Sequence, residues 1–536
     1  MKRALCIASV VCLATGRVSA QVHDHAAMER LGTVSFDTSC TKAVEPLFNT
    51  AVALMHSFQF GRAIETYRAI LKQDPGCAMA DWGIALSIWG NPFASFKSPA
   101  QLAQGAEAVR QARAVGVHTD RERGYIEAVA RLYTEDPHLL QPARMKAYEM
   151  AMADVASTNP SDTEATIFYA LALAAAADPT DKTYSKQLKA GALLEKNFAR
   201  FPDHPGLAHY IIHAYDEPAL AARAAEAARR YGAIAPSTPH ALHMPSHTFT
   251  RVGDWQASIT ANRASAAAAR AAGQAADVLH ASDYMVYAYL QRGQDRAAEN
   301  LVKASADVFR AFDPATTTGA APASAAYYAH AAIPARYCLE RHAWAEAARV
   351  SVVSGPFQNA SAIAYFARGM GAAHMKNGAA ATEAIGALAR IRDELTQAHD
   401  AYWAGQVEIQ RQEVAAMLAH AEGNLAAAIA DMRAAAVLED RTELASVTPG
   451  PFLPAREMLG ELLLESGRSA EALIEYRASL RKEPNRFWSL YGAAKAAKMT
   501  GDEAAARFYA SKLAQHTAAA DRPARPQLAE LLDLAR

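Results

Sequence analysis

The stretch Leu453–Arg486, LPAREMLGELLLESGRSAEALIEYRASLRKEPNR, decides the fold. Within it Leu459-Gly460, Gly467, Ala472, Tyr476 and Pro484 set small residues, a turn glycine, an aromatic and a terminating proline at the offsets of a two-helix unit. Small residues let the two helices approach closely, and stacked hairpins then bury a core that no single hairpin can build. The next turn, Gly501-Asp502, follows Gly467 by 34 residues, and Ala506 and Tyr509 continue the pattern.

Working outward, Ala63, Tyr67 and Pro75 repeat the same offsets near the N-terminus, and Trp82, Gly83 and Ala85 open the next helix. Turn signals at Gly253-Asp254, Gly293-Gln294, His342, Gly378 and Gly423-Asn424 each precede an alanine-rich amphipathic segment. The period is that of a tetratricopeptide repeat. The expected fold is all-α, a right-handed superhelical solenoid of such hairpins with no strand pattern. The expected organisation is a signal segment over 1–20 and an N-terminal tail over 21–40. An array carrying the histidine-rich segment follows over 41–312, then a flexible loop over 313–322 (DPATTTGAAP) and a second array over 323–536.

A chain of 536 residues is too long for one compact core, which suits a repeat array. Its 54 basic and 55 acidic residues nearly cancel, so nucleic acid and anionic membrane are set aside as partners. Residues 1–20 combine Lys2 and Arg3, an apolar run from Ala4 to Ala14 and a Val18-Ser19-Ala20 ending, the pattern of a cleaved secretory signal. No later apolar run reaches the roughly 20 residues of a membrane span. A periplasmic or secreted chain would keep Cys40, Cys77 and Cys338 in an oxidising compartment. There Cys40–Cys77 is the favoured bridge over three separate thiols, and Cys338 a lone buried one.

Six of the 18 histidines, His204, His209, His213, His240, His243 and His247, fall within 44 residues. His209/His213 and His243/His247 have i,i+4 spacing, which puts two imidazoles on one helix face where they can share a metal. The candidate metal ligands are His209, His213, His240, His243, His247 and Asp216, the last as ligand, base or orienting partner of an imidazole. Pro245 suits only a first helical turn, so a helix is expected from there to about Val252, with His247 in the concave groove and His240 in the loop above. Nitrogen donors with one carboxylate suit copper, zinc or iron. No phosphate loop or dinucleotide fingerprint points to a nucleotide cofactor, and Tyr210 stands where an H-E-x-x-H peptidase needs glutamate. Met244 reads as packing or a soft ligand, and Glu217 as a surface residue. Hydrogen-bonded core histidines, or a metal-free pocket, remain alternatives. His56 and His330 are distant contributors or packed helix residues, and Tyr210, Tyr215, Phe249, Trp255, Tyr284, Tyr287 and Tyr289 stack on a ligand or fill the core. Gln21-Val22-His23, if exposed by cleavage after Ala20, could wrap Cu(II) or Ni(II).

Leu54-Met55-His56-Ser57-Phe58, Asp74-Pro75, Cys77-Ala78-Met79-Ala80 and Trp82-Gly83 open a likeness that runs through most of the chain. His209-Tyr210, His213, Asp216, His240-Ala241-Leu242-His243-Met244-Pro245-Ser246-His247, Arg251, Gly253 and Trp255 continue it, and Pro454-Ala455-Arg456-Glu457, Leu459-Gly460-Glu461 and Pro484-Asn485-Arg486-Phe487 close it. These residues resemble a family of secreted bacterial tetratricopeptide-repeat proteins described by their repeats. The resemblance implies fold and export, and marks the histidine segment as a signature. The leading expectation is an exported solenoid that binds a protein or small-molecule ligand in its concave groove and carries a histidine-rich transition-metal site. A metal-dependent oxidoreductase or hydrolase built on the same histidines, and a metal-free interaction scaffold, are the alternatives.

Overall fold

Gly83 shows why the hairpins stack as they do. A β-carbon there would lie 2.2 Å from the Tyr67 ring, so only glycine lets that ring close over the next helix. Tyr476 repeats the device between Gly460 and Gly492, where added β-carbons would come within 2.8 and 2.1 Å of its ring. The computed structural model describes residues 29–536 except 95–96, 135, 137–138, 317–318 and 535–536. The signal segment and Gln21-Val22-His23 lie outside the described residues. Within them the chain is all-α, 26 α-helices and four short 3-10 helices, arranged as a superhelical stack of hairpins with no strand. Successive helices pack on one another, and helices two apart, such as Gln358–His374 and Ala401–Ala421, also touch. No helix among the described residues is long and apolar enough to cross a membrane.

Residues 29–40, expected as part of a tail, form an extended strap with Leu31 and Phe36 buried. Thr33 N donates to Asp203 O and Arg30 N to Ser237 Oγ, which ties the strap beside the histidine-bearing helices. Cys40 and Cys77 are disulfide-bonded, and Cys338 is a free buried thiol. In the loop 313–322, Ala320 and Ala321 are buried, and their N–H groups donate to Asp277 Oδ1, so this end is pinned to the helix Ala275–Gln291.

The stack also closes on itself, which the repeat pattern does not foretell. Trp255 Nε1 donates to Asn485 O at 3.0 Å, Phe487 N to Gln291 Oε1 at 2.8 Å, and Arg525 Nε to Asp295 at 3.0 Å. The linker at residues 440–454 runs along the concave side. Glu443 pairs with Lys182 and accepts from Tyr184, while Ser446 O accepts from Tyr284. Beside the histidines, the chain's own linker therefore lies against Tyr184 and Tyr284.

Arg486, fully buried, meets Glu340 at 2.6 Å and Glu457 at 2.9 Å and donates to Tyr287. Replacing it by methionine leaves two buried carboxylates uncompensated. The expected loss is about 3–5 kcal/mol of unfolding free energy, read from the denaturant midpoint of Arg486→Met against the parent chain.

Candidate metal centre

Three prolines at helix starts shape the site. Pro205, Pro239 and Pro245 open the helices Pro205–Ala214, Pro239–His243 and Pro245–Arg251, positions where a missing N–H costs nothing. Pro245 breaks what would otherwise be one helix after Met244, so His240 and His243 leave from one short segment and His247 from the next. Trp255–Ala271 and Ala275–Gln291 pack behind them and supply Asn262, His280 and Tyr284.

The candidate histidines gather into two adjacent triads. Ring nitrogens of His209, His213 and His240 lie within 4.8 Å of one another, and so do those of His243, His247 and His280. Rings of different triads approach closely, with centroids 6.3 Å apart for His213 and His247 and 6.1 Å for His240 and His243. All are buried except His280, which keeps partial exposure.

The outer nitrogens are held by acceptors. His209 Nδ1 donates to His56 O at 2.6 Å, His243 Nδ1 to Asn262 Oδ1 at 2.6 Å, and His247 Nδ1 to Asp216 Oδ2 at 2.8 Å. Asn262 Nδ2 donates to Ser258 O, which fixes its amide with the oxygen toward His243. Their Nε2 atoms therefore point inward, His209 to His240 Nε2 at 3.1 Å and His243 to His247 Nε2 at 3.0 Å. At His243–His247 both Nδ1 atoms donate outward, so two Nε2 lone pairs face each other and call for a shared proton or a metal ion, whereas at His209–His240 an Nε2–H of His240 can donate to His209. A tetrahedral metal bonded at 2.0–2.1 Å would hold its nitrogens roughly 3.3 Å apart, close to these spacings. Both ring nitrogens of His213 are buried with no hydrogen-bond partner among the described residues.

Burial pulls His209, His240 and His243 well below the ordinary imidazole value, and neighbouring histidines add to the effect. Burial then His247 lower His213 and His280 to about 3. Burial alone would raise the Asp216 carboxyl, but Arg251 and His247 hold it below the usual carboxylate range. Asp216 thus stands behind His247, between that ring and Arg251 Nε at 3.0 Å, outside both triads. Phe58 stacks on His213 and His240, Phe93 on His213 and Tyr231 on His209. Phe58 sits at φ 54°, a left-handed conformation that costs about 1–2 kcal/mol for a side chain with a β-carbon and is held here by the ring contacts.

The other sequence candidates separate from the triads. His204 and His56 each hydrogen-bond Glu164, at 2.8 and 2.9 Å, and Tyr210 bonds the other nitrogen of His56, so this group is saturated. His330 stacks on Phe309 at 3.8 Å, and Met244 is packed in the core. Glu217, expected on the surface, has a buried oxygen without a partner, and burial followed by Glu443 pushes its carboxyl up to about 8. The 440–454 linker covers the side where an exposed helix face was expected. Tyr284 touches His243, His247 and His280. Tyr210 tilts on His209, while Trp255 and Tyr287 meet edge to face. Sequence reasoning missed His280, Asn262, Phe58, Phe93 and Tyr231. No spacing singles out His280, since Asp277 and Asp283 lie three residues to either side of it on the same helix.

No family model and no curated protein matches this chain. Among solved structures it is similar to the APC/C hetero-tetramer Cut9-Hcn1, at 11% identity over 92% of this chain and 96% of that one, with a TM-score of 0.29. It is also similar to an IFIT1 monomeric mutant with m7Gppp-AAAA, at 10% identity over 89% of this chain and 96% of that one, with a TM-score of 0.37. At these scores neither bears on the site.

The lowered histidines set a pH dependence. Above about pH 6.5 they are neutral folded or unfolded; as pH falls from 6.5 toward 3, the unfolded chain takes protons that the folded chamber refuses. The histidines' share of the stability of metal-free protein should therefore fall steadily over that window and stay constant above it, read as the difference between the parent chain and a His213→Phe variant. Denaturant midpoints across the window check this, and a flat profile would contradict it.

Proposed function

We propose that the two triads form a dinuclear copper centre inside a helical-repeat scaffold, with His209, His213 and His240 holding one ion and His243, His247 and His280 the other. The observation that carries this reading is His213, whose two orphaned nitrogens sit beside two inward-facing Nε2 pairs. A buried imidazole without a partner costs free energy that coordination recovers. Copper fits on charge. Two divalent ions would bring four charges into a buried chamber with one adjoining carboxylate, Asp216, already shared with Arg251. Two Cu(I) ions bring half as much, and neutral imidazoles suit them without an anionic ligand. Held by these six histidines, such a pair would supply one-electron redox chemistry at each ion. The signal-like N-terminus supports an exported location, where the Cys40–Cys77 bridge would persist.

Elemental analysis of untagged protein after anaerobic Cu(I) loading tests the reading. Two copper ions per chain are expected, one after His209→Ala/His213→Ala and one after His243→Ala/His280→Ala. A natively folded parent chain without copper would overturn it, and loss of all metal in either variant would mean one shared site.

The triads differ behind their ligands. Asp216 backs His247 with a negative charge, whereas a neutral carbonyl backs His209. Asp216→Asn should weaken copper at the second triad by about 10–100-fold and leave the first nearly unchanged, seen as biphasic loss to a competing chelator.

A further inference from the structure

A cleft of ≈ 360 Å³ opens on the C-terminal part of the solenoid, lined from the helices Gln358–His374, Ala401–Ala421, Ala455–Glu465 and Phe487–Met499. None of its residues belongs to the histidine chamber. One wall is a ladder of flat rings: His374 on Trp344 at 3.7 Å, Trp344 on His342 at 4.8 Å, and His342 on Trp488 at 3.7 Å. Met370, Met417 and Met458 are buried beneath it. Methionine floors and aromatic walls adapt to apolar bodies of varied shape.

The charges in this cleft are unbalanced. Glu457, Glu461 and Glu465 recur at i,i+4 along one face of Ala455–Glu465. Glu457 is committed to Arg486 and Ser489, and Glu465 pairs with His420 at 2.8 Å. Glu461, between them, has no hydrogen bond or ion pair among the described residues, although its side chain reaches solvent through the mouth. Desolvation, then Glu457 and Glu465, push the carboxyl of this exposed residue up to about 7, against the opposing pull of Lys495. Lys495 lines the cleft without an ion pair to Glu461, and burial keeps His342 and His374 low, at about 3 and 4, so the aromatic wall brings no positive charge near pH 7. A positive group entering beside Glu461 would meet an unmatched carboxylate over a soft apolar floor.

We propose that this cleft binds a protonated amine carried on an apolar body, with Glu461 as the counter-charge and the Trp344/Trp488 ladder as the wall. The volume lies at the small end of the range for ligand pockets, about 300–1,000 Å³, which suits one arylalkylamine or one basic side chain of a peptide with its hydrophobic neighbour. A cation over an open aromatic face of that wall adds cation–π attraction in a partly desolvated site.

Calorimetric titration of the full chain with 2-phenylethylamine, and separately with a capped Phe-Lys-Phe tripeptide, tests the proposal against the N-acetylated form of each probe. At least one free amine should bind, its acetylated form about tenfold or more weaker. Which probe binds tells a free amine from a peptide side chain. Glu461→Gln should weaken binding by a similar factor with unchanged thermal midpoint, and Lys495→Glu on the facing helix should tighten it. Equal affinity for charged and acetylated probes, no heat from either amine at millimolar concentration, or indifference to both substitutions would overturn the proposal. Copper content should not change in either variant, so failure here is separable from failure of the dinuclear reading.

Discussion

A guanidinium taken out of water has to be met by a carboxylate, and three such pairs hold this solenoid closed. Arg251 faces Asp216 at 3.0 Å, Arg336 faces Asp283 at 2.8 Å, and Arg486 lies between Glu340 and Glu457, all buried. Two of them also reach across the stack, since Arg336 donates to Thr448 Oγ1 and Arg486 to Tyr287. Such pairs contribute little net stability over an apolar filling, but each is severe to break on one side only. They therefore act as registers, allowing one way for the last hairpins to return onto the middle of the chain. The linker at 440–454 is trapped in that return, and the histidine chamber is sealed by it.

Sealing is what gives the histidines their character. In water each imidazole would titrate near neutrality; inside the chamber five of them are driven toward the neutral form, and outward nitrogens are spent on a carbonyl, an amide oxygen and a carboxylate. What remains is a set of inward-pointing nitrogens. Folding makes it, through three proline-opened short helices, and the cost of gathering neutral donors is met by packing against Phe58, Phe93 and Tyr231.

The repeat was legible because it is local: Gly460, Tyr476 and Gly492 meet within neighbouring hairpins, and their spacing is the packing rule itself. Four of the six clustered histidines were legible for the same reason, as two i,i+4 pairs with His240 close by, and Cys40–Cys77 was the favoured of the possible bridges. The division into triads was not. It depends on His280, which comes from a helix beyond the cluster and carries no pattern of its own, and on Pro245 turning His247 away from His240. Asp216 could be named but not placed, because its partner Arg251 lies on another helix. The closure of the stack was invisible, since Arg336, Arg486 and Arg525 pair with residues 53 to 230 positions away. Glu217 misled for that reason as well: helical geometry turned it from the histidines, and only the returning linker buries it.

Closure also shapes the second site. The helix Ala455–Glu465 offers Glu457 to Arg486 and, one turn on, Glu461 to the cleft, so the contact that fixes the return of the chain fixes the free carboxylate in place. Were Glu457 unpaired, a neighbouring charge four residues away would drive Glu461 further toward its neutral form and blunt any attraction for a cation. Arg486 offsets part of that competition without lining the cleft. The chamber and the cleft then use histidine alike: burial keeps the rings uncharged, which in one place leaves nitrogens to coordinate and in the other leaves the field to the glutamates and Lys495.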